Sequence, residues 1–347
     1  MTAPHFPRPA VRTNFREDRA PNAGETTRLS HRWAIVLAGG DGVRLRGITR
    51  LICGDDRPKQ FCPLLGECTL LEQARQRAER SIRPEQILFA VTKTHQDYYL
   101  RDLGHPSCHK IVQPCNRGTT PPILYSLLHL AQIDRDATVA VLPCDHYYSD
   151  ESAFTRALES AFEASRFRPQ SVVLLGAQPN APEIEYGWIE VGGAVHEELL
   201  QVRAFHEKPS LPFAERLLTT GALWNTFVMV GHVHAFLQMA RATAPGLLEV
   251  FQSTMGTVPR NGETRIPDSV YDWVSPSDFS RQVLSPAAER LAALRLGNME
   301  WHDLGDPERV LSTLLARNVE LPAWAKRWQT LRKAVGNSAP RSKSAVA

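Results

Sequence analysis

The 347-residue sequence contains no run of 18 apolar residues, so it offers no transmembrane helix. Its first thirty residues carry Arg8, Arg12, Arg16, Arg19 and Arg28 but no apolar core, which excludes a secretory signal. Charge of one sign is also scarce. Forty Lys and Arg stand against 37 Asp and Glu, and a net charge of +3 leaves no footprint for nucleic acid. The cysteines are Cys53, Cys62, Cys68, Cys108, Cys115 and Cys144. They form no C-x-x-C pair and no zinc-finger spacing with His, so they read as reduced thiols of a cytoplasmic protein. Disorder throughout is excluded by a hydrophobic content of 43%. At this length a sizeable core needs no staples.

What is present is an alternation of strands and helices. Residues 1–30 and 336–347 lack periodicity and read as flexible tails. Residues 33–38, 87–91, 138–142 and 171–175 are short apolar runs, as buried parallel strands require. Amphipathic spacing at Leu70–Ala78, Ile123–Ala131 and Phe154–Phe162 predicts helices between them. The fold class expected is α/β, with a Rossmann-like doubly wound sheet in one large domain over 31–305. Beyond residue 180 the strands at 188–191, 200–206 and 226–230 have less helix between them, which predicts an antiparallel or mixed extension. Residues 306–335 are expected to form helices packing back on the core. His232 and His234 are expected to share one strand face, with no third metal ligand in view.

The first apolar run leads into Leu37-Ala38-Gly39-Gly40-Asp41-Gly42-Val43-Arg44-Leu45. Glycines after a strand let backbone N–H groups approach phosphate oxygens or a base edge. Leu45 stands where a dinucleotide fingerprint needs glycine, and no G-K-[ST] follows. A tight strand-to-helix turn would use the same glycines. Arg44 follows closely, and Pro58 fixes the backbone before Lys59. Together these make a polyphosphate site, although a solvated cluster would carry the same Arg57 and Lys59.

The pair GGxGxRL and RPKQF resembles the sugar-1-phosphate nucleotidyltransferases, most closely the mannose-1-phosphate guanylyltransferase group. Further motifs follow in the family's order. They are Gln113-Pro-Cys-Asn116-Arg-Gly-Thr-Thr-Pro-Pro-Ile123, Pro143-Cys-Asp145-His146 and Tyr186-Gly187-Trp-Ile-Glu190. Phe205-His-Glu-Lys208-Pro209, Trp224-Asn225 and Trp301-His-Asp303-Leu-Gly305 complete the set.

The resemblance implies transfer of a nucleotidyl group from an NTP to a sugar-1-phosphate, with pyrophosphate leaving. It implies GTP and mannose-1-phosphate as substrates. The alternatives are glucose-1-phosphate with UTP or dTTP, or a catalytically silent nucleotide-sugar-binding regulator. Leu37, Ala38, Gly39, Gly40, Gly42, Arg44, Lys59, Gln113 and Asn116 would bind the nucleotide. Gly187, Glu190, Lys208 and Asn225 would bind the sugar phosphate. Asp145 and Asp303 match the family's metal-binding aspartates, with Mg²⁺ as the cofactor. Arg44, Lys59 and Asp145 would carry the chemistry. Small molecules are the expected partners, and a homo-oligomer is left open.

Three positions depart from the pattern. Arg46-Gly47 replaces the usual W-P after R-L, and Gln113 stands where Glu is common. The family's W-N-x-G-x-F becomes Trp224-Asn-Thr-Phe227, without glycine. An amide offers one acceptor oxygen to a guanine edge where a carboxylate offers two.

Overall fold

A computed structural model describes residues 31–105, 108–256, 259, 262–317 and 320–337, with side chains as far as residue 332. The tails expected at 1–30 and 338–347 lie outside the described residues. Gly336 and Asn337, expected in the second tail, close a helix instead.

The strands are β1 (Arg32–Leu37), β2 (Ile87–Thr92), β3 (His109–Gln113), β4 (Thr138–Pro143), β5 (Tyr147–Tyr148) and β6 (Val172–Ala177). They continue with β7 (Gly187–His196), β8 (Leu199–Glu207), β9 (Leu223–His232), β10 (Glu263–Arg265), β11 (Leu291–Arg295) and β12 (Trp301–His302). The helices before residue 200 are α1 (Arg46–Cys53), α2 (Leu70–Glu79), α3 (Gln96–Leu103), α4 (Thr120–Ile133) and α5 (Glu151–Phe167). After it come α6 (Leu211–Thr219), α7 (Val233–Thr243), α8 (Pro245–Thr254), α9 (Asp268–Tyr271), α10 (Pro307–Ala316) and α11 (Ala323–Asn337).

The main sheet has the order β10-β3-β2-β1-β4-β9-β6-β11-β8-β7. Strands β10, β3, β2, β1 and β4 pair in parallel. Their carboxyl ends therefore share one edge, and β1 sits at the switch point where open α/β sheets bind ligands. From β9 onward most pairings are antiparallel. β7 also pairs with β9 through Trp188 and Trp224, which closes β9-β6-β11-β8-β7 into a ring. This closure goes beyond the expected open sheet. Register shifts in the β6–β9 and β7–β8 ladders supply the local bends that closure needs.

Burial on both faces explains the unbroken apolar runs. Trp33 and Ile35 enter one core, while Ala34 and Val36 enter the other. A third cluster joins Leu45, Ile48 and Leu64 to Val310, Leu314 and Ala325, so the C-terminal helices pack behind the glycine loop. There Trp328 lies against Gly47, where a Cβ would come within 2.9 Å of its ring. Gly47, one of the departures from the family pattern, thus makes room for a C-terminal indole.

Two expectations change. Helices α6, α7 and α8 occupy a stretch read as poor in helix. His232 and His234 share no strand face. His232 ends β9 and caps α7, accepting from the His234 N–H, and the two rings stack. The described cysteines are free thiols, with the Cys53 and Cys62 sulfurs 3.3 Å apart. Among the described residues no helix is long and apolar enough to cross a membrane.

Candidate active site

The carboxyl ends of β1, β3 and β4 border a cleft of about 360 Å³, within the range of small-ligand sites. Leu37 lines it from the end of β1 and Gly39 and Gly40 from the loop that follows, with Gln113 at the end of β3 and Asn116 just beyond. Asp145 and His146 enter after Pro143 stops β4, and Gly187, Asn225 and Phe227 line the cleft from the closed ring.

Asp303 is brought in by a two-residue ribbon. β12 pairs antiparallel with β5, Trp301 opposite Tyr148 and His302 opposite Tyr147. One further step along that register sets His146 opposite Asp303. Residues just before β5 and just after β12 therefore emerge together, and both aspartates face the cleft. Lys59 ties them. Its Nζ is 3.0 Å from Asp145 Oδ2 and donates to the carbonyls of Asp303 and Leu304 at 3.0 and 2.9 Å. Leu304 turns its carbonyl with a left-handed φ of 47°, strain that belongs at a site rather than in a bland turn.

The Asp303 carboxylate is heavily bonded. Oδ1 accepts from Arg309 Nη1 at 2.9 Å, the Gly305 N–H at 2.9 Å and the Tyr186 hydroxyl at 3.3 Å. Burial alone would raise its pKa, but Arg309, His146 and Lys59 outweigh that and hold it below the ordinary value. Burial lowers the pKa of His146, whose Nδ1 accepts from Trp301 Nε1. Two carboxylates on one cleft form a donor set for a hard divalent cation. Among the described residues no three His, Cys, Asp or Glu side chains gather as a metal group.

The glycine loop is fixed by its neighbours. Gly42 adopts φ 57°, and a Cβ there would lie 2.8 Å from the Lys59 nitrogen. Gln60 donates to the carbonyls of Ala38 and Gly40. Ala38 is buried and shapes the loop without lining the cleft. Asp41 accepts from Asn116 Nδ2 at 2.9 Å, which ties the loop to the segment after β3. Gln113 is buried; its Oε1 accepts from the Tyr271 hydroxyl at 2.6 Å and its Nε2 donates to Thr92 Oγ1 at 3.0 Å. One amide hydrogen and one lone pair remain.

Arg44 and Lys208 stand at the mouth, each 3.8 Å from Glu185, a carboxylate that lines the cleft. Glu190 is placed differently. Strand alternation puts it on the opposite face from Gly187, where it bonds His206 at 3.2 Å. Glu207, paired with Gly187 across the ladder, lines the cleft instead. Burial and the nearby Asp278 push its carboxyl up to about 7. Glu207, Tyr186, Asp278 and Arg309 escaped the sequence reading. Glu207 and Tyr186 carried local signals, the one beside Lys208 in F-H-E-K-P and the other at the head of Tyr186-Gly187-Trp-Ile-Glu190.

A family model described as nucleotidyl transferase matches residues 33–316. The chain belongs to the nucleotidyl transferase family. This nucleotidyl transferase chain is 30% identical over 278 residues to the xanthan biosynthesis protein XanB of Xanthomonas campestris pv. campestris, covering 78% of this chain and 57% of XanB. It is 24% identical over 282 residues to a mannose-1-phosphate guanylyltransferase of Escherichia coli, covering 78% and 59%. It thus spans little more than half the length of these curated relatives. A solved structure from Thermus thermophilus, described as a mannose-1-phosphate geranyltransferase, matches with a TM-score of 0.70 at 29% identity. The match covers 81% of this chain and 79% of that one.

Proposed function

We propose that this chain transfers a nucleotidyl group from a nucleoside triphosphate to a sugar-1-phosphate, with GTP and mannose-1-phosphate as substrates and GDP-mannose as product. The observation that carries the reading is the contact of Lys59 with Asp145 Oδ2 and with the carbonyls of Asp303 and Leu304, on the strand edge that bears Gly39 and Gly40. The likeness to mannose-1-phosphate guanylyltransferases supports the choice of sugar and base.

In this reaction an oxygen of the sugar phosphate forms a bond to the α-phosphorus, and the bond to the β-phosphate oxygen breaks. The attacking oxygen is already anionic, so no general base is needed. The protein's task is to bring two anions together and to stabilise the departing pyrophosphate. The backbone N–H groups of Gly39 and Gly40 receive the nucleotide. Lys59 supplies positive charge beside Asp145, and Arg44 and Lys208 supply exposed charge at the mouth. Asn225 and Glu207 take the sugar end. Asp145 and Asp303 would hold Mg²⁺, which would supply neutralisation of phosphate charge there.

Gln113 admits a second reading for the base on equal terms. One free N–H and one free lone pair match the N3–H and O4 of uracil or thymine as well as they match guanine. The alternative is therefore glucose-1-phosphate with UTP or dTTP. The test offers GTP, UTP, dTTP, ATP and CTP with either sugar phosphate and Mg²⁺, and measures pyrophosphate. Release confined to GTP with mannose-1-phosphate is the expected result. Release with UTP or dTTP selects the second reading, and silence in every well overturns both.

A further inference from the structure

Arg309 lies in the first turn of α10, where a cation opposes the helix dipole. It is nevertheless mostly buried, and its guanidinium engages three carboxylates. Nη1 reaches both Asp303 oxygens at 2.9 and 3.2 Å, and Nη2 reaches Glu183 Oε2 at 3.0 Å. Nε reaches Asp306 Oδ2 at 3.3 Å, and the guanidinium lies 4.5 Å from the centre of the Tyr186 ring. A helix start, the segment after β12 and the loop before β7 thus meet on one planar fork, a shape that lysine cannot supply.

The consequence falls on Asp303. Three donors occupy Oδ1, whereas Oδ2 has only the longer Arg309 contact. Gly305 is required by the same packing, since a Cβ there would lie 2.7 Å from Oδ2. Asp303, Glu183 and Asp306 place three carboxylates on the one guanidinium of Arg309.

We propose that Arg309 is a positioning residue that fixes the Asp303 carboxylate with Oδ2 available to a divalent cation and anchors the Glu183–Tyr186 loop beside it. The role rests on the nucleotidyl-transfer reading. Arg309 touches no substrate itself; it acts through Asp303 and Tyr186.

The test compares full-length wild type, Arg309→Met and Arg309→Lys. At saturating Mg²⁺, Arg309→Met should lose about a hundredfold in kcat, with KM for both substrates kept within about threefold. Arg309→Lys should recover about tenfold of that loss, because it restores the charge without the fork. In the substrate-free protein, amide hydrogen exchange over 183–187 and 303–305 should quicken about tenfold in Arg309→Met and remain unchanged in β1 and β4. Wild-type kcat in Arg309→Met, a loss carried by KM alone, or unaltered exchange would overturn the proposal. Should Arg309→Met fail to fold, Arg309→Lys decides: a kcat equal to wild type contradicts the role, and a drop of about tenfold with normal KM supports it. An inactive wild type would defeat the functional reading, and the exchange measurement would still judge the clamp.

Discussion

The Lys59 ammonium stands 3.0 Å from Asp145 Oδ2 while donating to the carbonyls of Asp303 and Leu304. One side chain thus joins segments that are distant in sequence and sets a positive charge beside Asp145. Lys59→Met should lower pyrophosphate release by about a hundredfold, the usual scale for removing one preorganised charge donor. A variant near wild-type turnover would remove Lys59 from the reaction.

Gly42 has φ 57° and lies against the Lys59 nitrogen. Gly42→Ala adds both left-handed strain and a backbone clash. It should lower unfolding stability by roughly 1–3 kcal/mol in urea titration. Unchanged stability would mean that the loop accommodates a Cβ freely.

Burial and the nearby Asp278 push the Glu207 carboxyl up to about 7, against 4.5 as its ordinary value. Between those values the folded state keeps a proton that the unfolded chain has released. Stability therefore falls as pH rises from 4.5 to about 7, and the full cost, on the order of 3 kcal/mol, persists above that. Glu207→Gln should melt higher than wild type at pH 8, with the gap closing towards pH 4.5. A gap independent of pH would contradict the assignment.

Phe227 holds φ 60° at the position where the W-N-x-G-x-F pattern has glycine. It lines the cleft, and its N–H donates to Asn225 Oδ1 at 3.1 Å. A bulky residue in a left-handed conformation marks a functional constraint. Phe227→Gly should change the ratio of kcat/KM between mannose-1-phosphate and glucose-1-phosphate by about tenfold, a shift within what pocket reshaping achieves. The same sugar profile in both proteins would place Phe227 outside the sugar pocket.

The strands β1, β2 and β4 of the parallel half and β6 of the ring were legible because they are buried on both faces, so each reads as an unbroken apolar run. Their ends then located Gly39, Gly40 and Asp145. β3 was missed because His109, Lys110 and Gln113 interrupt its run, although all three are buried. The pairing of β5 with β12 involves two residues on each side and leaves no periodicity to read. Glu190 was assigned from its motif, while strand alternation placed Glu207 in the cleft instead. Nothing in the sequence singled out Arg309, because its three partners converge only in the folded chain.

Asp145 and Asp303 are expected to act as one unit. A double-mutant cycle of Asp145→Asn and Asp303→Asn on pyrophosphate release measures this directly. Each single variant should lose about a thousandfold in kcat, and the double variant should be no slower than the worse single one. Losses that multiply in the double variant, or a single variant that retains most of its turnover, would contradict a shared role for the two carboxylates.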